Sequence, residues 1–411
     1  MTNDRSLRVT AADLNEEQRV TKRQELLQEL APGDYAQLFS YEFDAEQVGR
    51  KNCENLIGSI ELPVGVAGPV AVKGMVGADM TGADTAVTGD FRSEEIYLPL
   101  ATSEGALVAS VSRGCKALSA SGGVSLIIKK IGMTRAPVFR CRDGAHAQQF
   151  VEWLDQNQAE IARLTEATSH HLKYLSYQAW IRGRQVFVRF VFDTDQAMGM
   201  NMVTIALQTA LSELLPKLDG VELVSLSSNV CTDKKDSVIN SLYGRGYWVQ
   251  AEAFIPHDVI KNILKADAEV IFKTHLSKNL IGSNLAGSHS QNMQAANVIA
   301  AIYAATGQDL AHVVEGSQAT TSIELVDDAE RSGIYAAVTL PNINVGAVGG
   351  GTGLPAQSQA KKIIRGGKEL TAEQLAGAVA AGVLAVELSG LAALSTHTLA
   401  QAHQKLGRDK S

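Results

Sequence analysis

Tyr174-Leu175-Ser176-Tyr177-Gln178-Ala179-Trp180-Ile181, the joint Arg182-Gly183-Arg184, and Gln185-Val186-Phe187-Val188-Arg189-Phe190-Val191-Phe192 form the most legible stretch of this chain. Aromatic and β-branched residues crowd both sides of a glycine-containing joint, which reads as two antiparallel strands and a hairpin. Outward from the hairpin, residues 138–142 read as a strand and 147–168 as an amphipathic helix before it, and residues 200–215 as a helix and 221–226 as a strand after it. The order β-α-β-β-α-β is ferredoxin-like and differs from the alternating βαβ of a dinucleotide-binding Rossmann unit. Gly- and Ala-rich sequence of similar character lies on both sides, so residues 137–226 read as an insertion. The surrounding domain is then 48–136 plus 227–411, preceded by a small helical arm over 1–47, and the fold class is α+β.

With 411 residues, 45% of them hydrophobic, the chain can bury a large core and has room for two or three domains. A net charge of -7 with only 20% charged residues argues against a nucleic-acid surface and points to a small partner. Cys53, Cys115, Cys141 and Cys231 are scattered, with no CxxC or Cys/His pairing, and the N-terminus is polar and charged. These features predict a reducing, cytoplasmic setting and no metal. A membrane helix needs roughly 18 apolar residues in a row. The nearest run, residues 375–386, stops at Glu387 and reads as too short.

Several windows could carry chemistry, and each has an ordinary structural reading beside it. Residues 13–30 give a helical pattern ended by Ala31-Pro32-Gly33. Glu54-Asn55-Leu56-Ile57-Gly58 and Pro63-Val64-Gly65-Val66-Ala67-Gly68-Pro69 read as short strands and turns that let backbone approach a ligand, or as plain turns. Ala101-Thr102-Ser103-Glu104-Gly105 opens a helix, where Glu104 could simply complement the dipole. Ser227-Ser228-Asn229-Val230-Cys231-Thr232-Asp233-Lys234-Lys235 sets three charges after a strand, either as a solvated turn or aimed at an anion. Lys278-Asn279-Leu280-Ile281-Gly282 precedes a helix over 292–306, which Gly307-Gln308-Asp309 ends. Gly346-Ala347-Val348-Gly349-Gly350-Gly351-Thr352-Gly353 is a flexible loop without the strand-GxGxxG-helix context of a Rossmann site. A small-residue helix pair closes the chain, with His397 and His403 in its tail.

Taken together, these windows resemble the 3-hydroxy-3-methylglutaryl-coenzyme A reductase family from about Asn52 onward. The resemblance implies a ferredoxin-like cofactor domain inside a larger, mostly helical substrate domain. It also implies two successive hydride transfers from a nicotinamide cofactor, which reduce the thioester to mevalonate and free coenzyme A. By resemblance Glu104, Lys234, Asp309 and His403 are catalytic. Lys234 would stabilise charge developing on the carbonyl oxygen, Glu104 would supply a proton, Asp309 would hold and tune both, and His403 would protonate the departing thiolate. Glu54, Asn55, Arg135, Ser227, Lys235, Lys278 and Asn297 would hold the substrate, Arg135 being suited to grip a carboxylate by two parallel bonds. Met198, Gly199, Met200 and Asn201, with Gly349, Gly350, Gly351 and Thr352, would hold the cofactor. The resemblance favours NADPH, with NADH possible, and a homodimer or homotetramer with its active site between subunits. It implies no membrane or nucleic-acid partner.

Two windows depart from the family pattern. Ser290-Gln291-Asn292-Met293-Gln294 replaces a Gly-Gly-aromatic-Asn-Ala-His segment, so Gln294 stands where a histidine is common. Gln196 stands where an aspartate usually precedes Ala197-Met198-Gly199, with Asp195 one place earlier. Arg182, Arg184, Arg189 and His170 are the candidates for meeting a 2′-phosphate.

Overall fold

A computed structural model describes residues 13–76 and 93–396, together with Leu7 and Val9. Ten strands among these residues share one sheet: β1 Val64–Val76, β2 Glu94–Ala101, β3 Val124–Arg135, β4 Val138–Arg140, β5 Lys173–Arg182, β6 Gln185–Asp193, β7 Glu222–Ser225, β8 Gly246–Pro256, β9 Thr320–Asp327 and β10 Ser332–Ile343. One part of the sheet runs β2-β1-β3-β8-β10-β9 and is antiparallel except for the β1/β3 pair. The other runs β7-β4-β6-β5, all antiparallel. Helices Gly144–Gln156 and Gln158–Glu166 connect β4 to β5, and helix Met200–Leu214 connects β6 to β7.

The two parts meet in β3. Its residues 125–132 pair with β8, and its last three, Met133, Thr134 and Arg135, pair with Phe192, Val191 and Phe190 of β6. The ladder is interrupted at Pro137, which has no N–H to give, and resumes on β6 with Val138 opposite Phe187. The smaller part therefore begins within β3, a few residues before the expected boundary at 137. The larger part carries six strands as well as its helices, so it is mixed and not mostly helical.

Each part has its own apolar core. The smaller is built on Phe139, Phe150, Leu154, Phe190, Phe192, Leu207 and Leu211. The larger surrounds helix Ala372–Ser395, whose residues are almost all buried. The apolar run read from the sequence stops at Glu387, but the helix continues through it. It runs 24 residues, long and apolar enough by length and composition to cross a membrane, but its most apolar window is wholly buried inside the protein. The carboxylate is tolerated because it accepts hydrogen bonds from Met293 N–H (2.7 Å), Gln294 N–H (2.8 Å) and the Thr321 hydroxyl (2.7 Å). Small residues let helices close around it. A Cβ on Gly114, in helix Leu107–Ala120, would lie 1.9 Å from the Ala385 carbonyl oxygen.

Local chemistry accounts for two boundary shifts. The N-terminal helix starts at Glu16, because Asn15 and Gln18 form a reciprocal capping box. The single helix expected over 147–168 breaks at Asn157 (φ -114°, ψ 17°), whose side-chain amide donates to the Trp153 carbonyl (2.7 Å) alongside its own backbone N–H (3.0 Å). The arm packs Val20, Ala45, Val48 and Leu56 together, with Leu354 against them.

Candidate active site

A cleft of ≈ 850 Å³ lies where the two parts of the sheet meet, and Arg135, residues 198–202, Asp233, Lys234, Asp309, His312 and residues 349–352 are in its lining. The two glycine-bearing segments expected to hold a cofactor reach it side by side. Gln196 O accepts from Ala347 N–H (2.8 Å), Ala197 and Val348 form a parallel bridge, and a Cβ on Gly346 would lie 2.6 Å from Met198 N. Gly199 (φ 85°) turns the chain into helix Met200–Leu214, and a Cβ there would meet the Thr194 side chain at 2.4 Å. The first N–H groups of that helix are thus presented at the cleft, an arrangement suited to a pyrophosphate.

The lysine loop is held in an uncommon backbone conformation. Asn229, Thr232 and Lys234 all have left-handed φ, at 64°, 62° and 57°. Such residues cost about 1–3 kcal/mol each and persist where surrounding structure enforces them. The enforcing contacts are Thr232 Oγ1 with Asn240 Oδ1, and Lys234 N–H donating to buried Glu315 Oε1 at 2.8 Å. The Lys234 ammonium then lies 2.9 Å from Asp309 Oδ2. Burial raises the Asp309 carboxyl, but the Lys234 hydrogen bond, the Ala311 N–H and the charges of His312 and Lys234 outweigh it and hold the group below its usual range.

Glu104 lies elsewhere. The helix after it starts at Leu107, behind Ala106 in the left-handed region, so Glu104 belongs to the preceding loop and not to a first helical turn. Its backbone N–H donates to Thr102 Oγ1 (2.9 Å), and its carboxylate accepts from Asn297 Nδ2 at 2.9 and 3.2 Å. Among the described residues, Glu104, Asn297, Lys235, Lys278, Ser227, Glu54 and Asn55 are not in the cleft lining. Lys235, Lys278, Ser227, Glu54 and Asn55 are exposed, and Lys278 sits in a π-helical turn, Leu276–Gly282. Arg135 donates to Thr204 Oγ1 from Nε (3.0 Å) and Nη2 (2.6 Å). His403 and His397 lie outside the described residues.

The departures from the family pattern have structural roles of their own. Gln196 accepts from Ala372 N–H (2.7 Å), tying the loop before Met198 to the start of the buried helix, while Asp195 pairs with His171 (2.8 Å). The segment before Asn297 is anchored by Glu387 and by Asn292, which donates to the Ser317 and Ala319 carbonyls at 3.0 Å each. Of the candidates for a 2′-phosphate, Arg189 is excluded, since it is buried and donates to Gly244 O (2.6 Å) and Gln178 Oε1 (3.0 Å). Arg182 and Arg184 occupy the hairpin end of β6. The loop that leads to Met198 leaves from its other end, nine residues and roughly 26 Å away at about 3.3 Å per residue. His170 precedes β5 at the near end, where Lys173 pairs with Asp193.

Arg245, His312 and Glu315 were not singled out from sequence, although all three are fully buried behind Lys234. Arg245 donates to Glu315 Oε1 (2.6 Å) and Asp233 Oδ1 (3.2 Å). The i, i+3, i+6 spacing of Asp309, His312 and Glu315 was the available signal. Gln308 was also passed over; its side chain bonds both the N–H and the C=O of Gly346 (2.9 and 3.1 Å), fixing the base of the glycine loop.

A family model described as Hydroxymethylglutaryl-coenzyme A reductase matches residues 19–408. The 3-hydroxy-3-methylglutaryl-coenzyme A reductase of Halobacterium salinarum is 45% identical over 376 residues, covering 90% of this chain and 88% of the relative. The enzyme of the same name from Methanothermobacter thermautotrophicus is 43% identical over 373 residues, with 90% and 88% covered. Among solved structures, the class II 3-hydroxy-3-methylglutaryl-CoA reductase from Streptococcus pneumoniae bound to NADPH in open conformations has a TM-score of 0.67 at 22% identity. That likeness, over 91% of this chain and 96% of the other, is one of fold.

Proposed function

Because the chain belongs to the hydroxymethylglutaryl-coenzyme A reductase family, we propose an assignment of its residues to the reduction of 3-hydroxy-3-methylglutaryl-coenzyme A to mevalonate and free coenzyme A. The observation that carries the assignment is the Lys234 ammonium, held 2.9 Å from Asp309 in the wall of a cleft that the Met198 and Gly349 segments also line. A reduced nicotinamide held there would supply one hydride, and a second reduced cofactor, exchanged for the oxidised one, would supply the other. Backbone N–H groups at the start of helix Met200–Leu214, with residues 198–201 and 349–352, would hold its phosphates and face. Lys234 then meets the negative charge that develops on the carbonyl oxygen in both steps, where a fixed cation is worth far more than in water. Asp309 keeps that ammonium aimed. Glu104 delivers the proton to the oxygen, and His403 protonates the departing thiolate. Arg135, Lys235 and Lys278 grip the acidic end of the substrate, with Ser227, Asn297, Glu54 and Asn55 as neighbouring polar contacts.

The separation of the Glu104–Asn297 pair from the Lys234–Asp309 pair supports an active site completed by a second copy of the chain, in a homodimer or homotetramer. A run of alternate apolar residues, Ile60, Leu62, Val64 and Val66, is 80, 50, 54 and 45% exposed in the single chain, which is surface a partner would cover. Mixing inactive Glu104→Gln and Lys234→Ala proteins under subunit exchange should restore part of the activity. No recovery, or a monomer by light scattering, contradicts this arrangement. We read residues 137–226 as the ferredoxin-like cofactor unit, a reading the β7-β4-β6-β5 order supports. We also favour NADPH and the cytoplasm, the latter on four free cysteines. Steady-state rates with NADPH and NADH in both directions test the assignment and separate it from an NADH-linked enzyme of the same family working towards mevalonate oxidation. Thioester binding without cofactor consumption would instead indicate a non-catalytic acyl-coenzyme A binder.

A further inference from the structure

Lys234 is the start and the end of a closed circuit of contacts. Its Nζ lies 2.9 Å from Asp309 Oδ2, and that oxygen lies 3.5 Å from His312 Nε2. His312 Nδ1 lies 2.8 Å from Glu315 Oε1, which accepts the backbone N–H of Lys234 at 2.8 Å. Arg245 braces the circuit from behind through Glu315 and Asp233.

Two features show that the circuit does more than fill space. Lys234 is in the left-handed region, so its backbone must be held, and the Glu315 carboxylate is the group that accepts its N–H. His312 is fully buried with no hydrogen-bond partner at Nε2, and that atom faces Asp309 at 3.5 Å and Asp233 at 3.8 Å. A lone pair aimed at two carboxylates is repelled, whereas a proton on Nε2 attracts both. The charged groups facing the ring are Asp233, Asp309, Glu315 and Arg245, with Lys234 beyond Asp309. Ligand atoms of Asp233, His312 and Glu315 also lie within 4.8 Å of one another, a spacing that could suit a metal ion, but the Arg245 guanidinium already provides the cation there.

We propose that His312 and Glu315 are positioning residues for the reduction: Glu315 fixes the backbone of Lys234, and His312 presents Asp309 to its ammonium. The position of that charge over the reacting oxygen is thereby set from the protein interior. This rests on the reading of Lys234 as the cation that stabilises the oxygen.

The experiment measures kcat and KM against pH for the full-length protein and for H312Q, E315Q, D309N and H312Q/D309N. H312Q should lower kcat by roughly 10–100-fold, the scale of a sub-ångström to 1 Å misplacement, with KM values within about twofold and the acid limb of the kcat profile displaced. In the D309N background the same change should cost less than about threefold, because its route to the lysine is already cut. A wild-type kcat and pH profile in H312Q, or an equal loss in both backgrounds, overturns the proposal. A fully active Lys234→Ala enzyme overturns the functional reading as well, which separates the two failures. If the variants do not fold, nitrogen-15 NMR of the wild-type ring decides: a proton on Nε2 sustains the circuit, and a bare Nε2 overturns it.

Discussion

Lys234→Ala separates catalysis from stability. The ion pair it removes is 42% exposed on the lysine side and 36% on the aspartate side, so solvent screens it. Exposed pairs contribute about 0.2–1 kcal/mol, and the low end applies here. The melting temperature should fall by no more than about 2–4 °C. The catalytic loss should be much larger. One fixed donor at a developing oxyanion is worth about 2.7–4 kcal/mol, or roughly 10²–10³-fold in kcat. The assay follows nicotinamide absorbance with the thioester at saturating cofactor, alongside a thermal melt of the same preparation. The variant should also lose acid sensitivity. The Asp309 carboxyl is held below its usual range in the folded protein, so it contributes stability above its unfolded value, which is lost as pH falls through the folded one. Without the Lys234 hydrogen bond that contribution shrinks. A Lys234→Ala enzyme within about tenfold of wild-type kcat would refute the oxyanion role.

Lys235→Ala should behave differently in kind, raising KM for the thioester by roughly 10-fold or more with little change in kcat, since a charge-assisted bond to a substrate carboxylate contributes about 1.5–3 kcal/mol. Gly114→Val should destabilise by more than about 2 kcal/mol in denaturant melts, because its Cβ would lie 1.9 Å from the Ala385 carbonyl oxygen and helix backbones cannot yield there. Glu387 gives a pH signature opposite to that of Asp309. Burial raises its carboxyl against the lowering effects of the Gln294 and Met293 N–H groups, the Thr321 hydroxyl and the Lys278 charge. Its contribution is therefore fully present below the unfolded value and is lost as pH rises through the folded one. Urea melts of Glu387→Gln against wild type from pH 4 to 8 should show the stability difference moving in the variant's favour as pH rises; a difference independent of pH would contradict this.

The hairpin and its flanking elements were readable because alternating aromatic and β-branched residues give a period that admits few alternatives. Their pairing order then followed the expected arrangement. The larger sheet was less legible. Gly- and Ala-rich segments such as residues 64–76 become strands through pairing with β2 and β3, and their local pattern gives little sign of it. The apolar run around helix Ala372–Ser395 was read as stopping at Glu387 because a glutamate usually marks an exit from the core, and here three donors satisfy it internally. At the site, the motifs pointed to Lys234 and Asp309, which the structure brings together in the cleft, and to Glu104, which is not in its lining. The groups that hold Lys234 in place escaped notice, because Arg245 and Glu315 are distant in sequence from it and look like ordinary surface charges until burial is known.

Because β3 belongs to both parts of the sheet, residues 137–226 are not a detachable cassette. Cutting at Pro137 would strip β6 of Met133, Thr134 and Arg135, and leave the backbone of residues 190–192 as a bare edge available to any passing strand. A graft that swapped this piece between relatives would have to carry the end of β3 with it, and with it Arg135, a residue of the cleft lining.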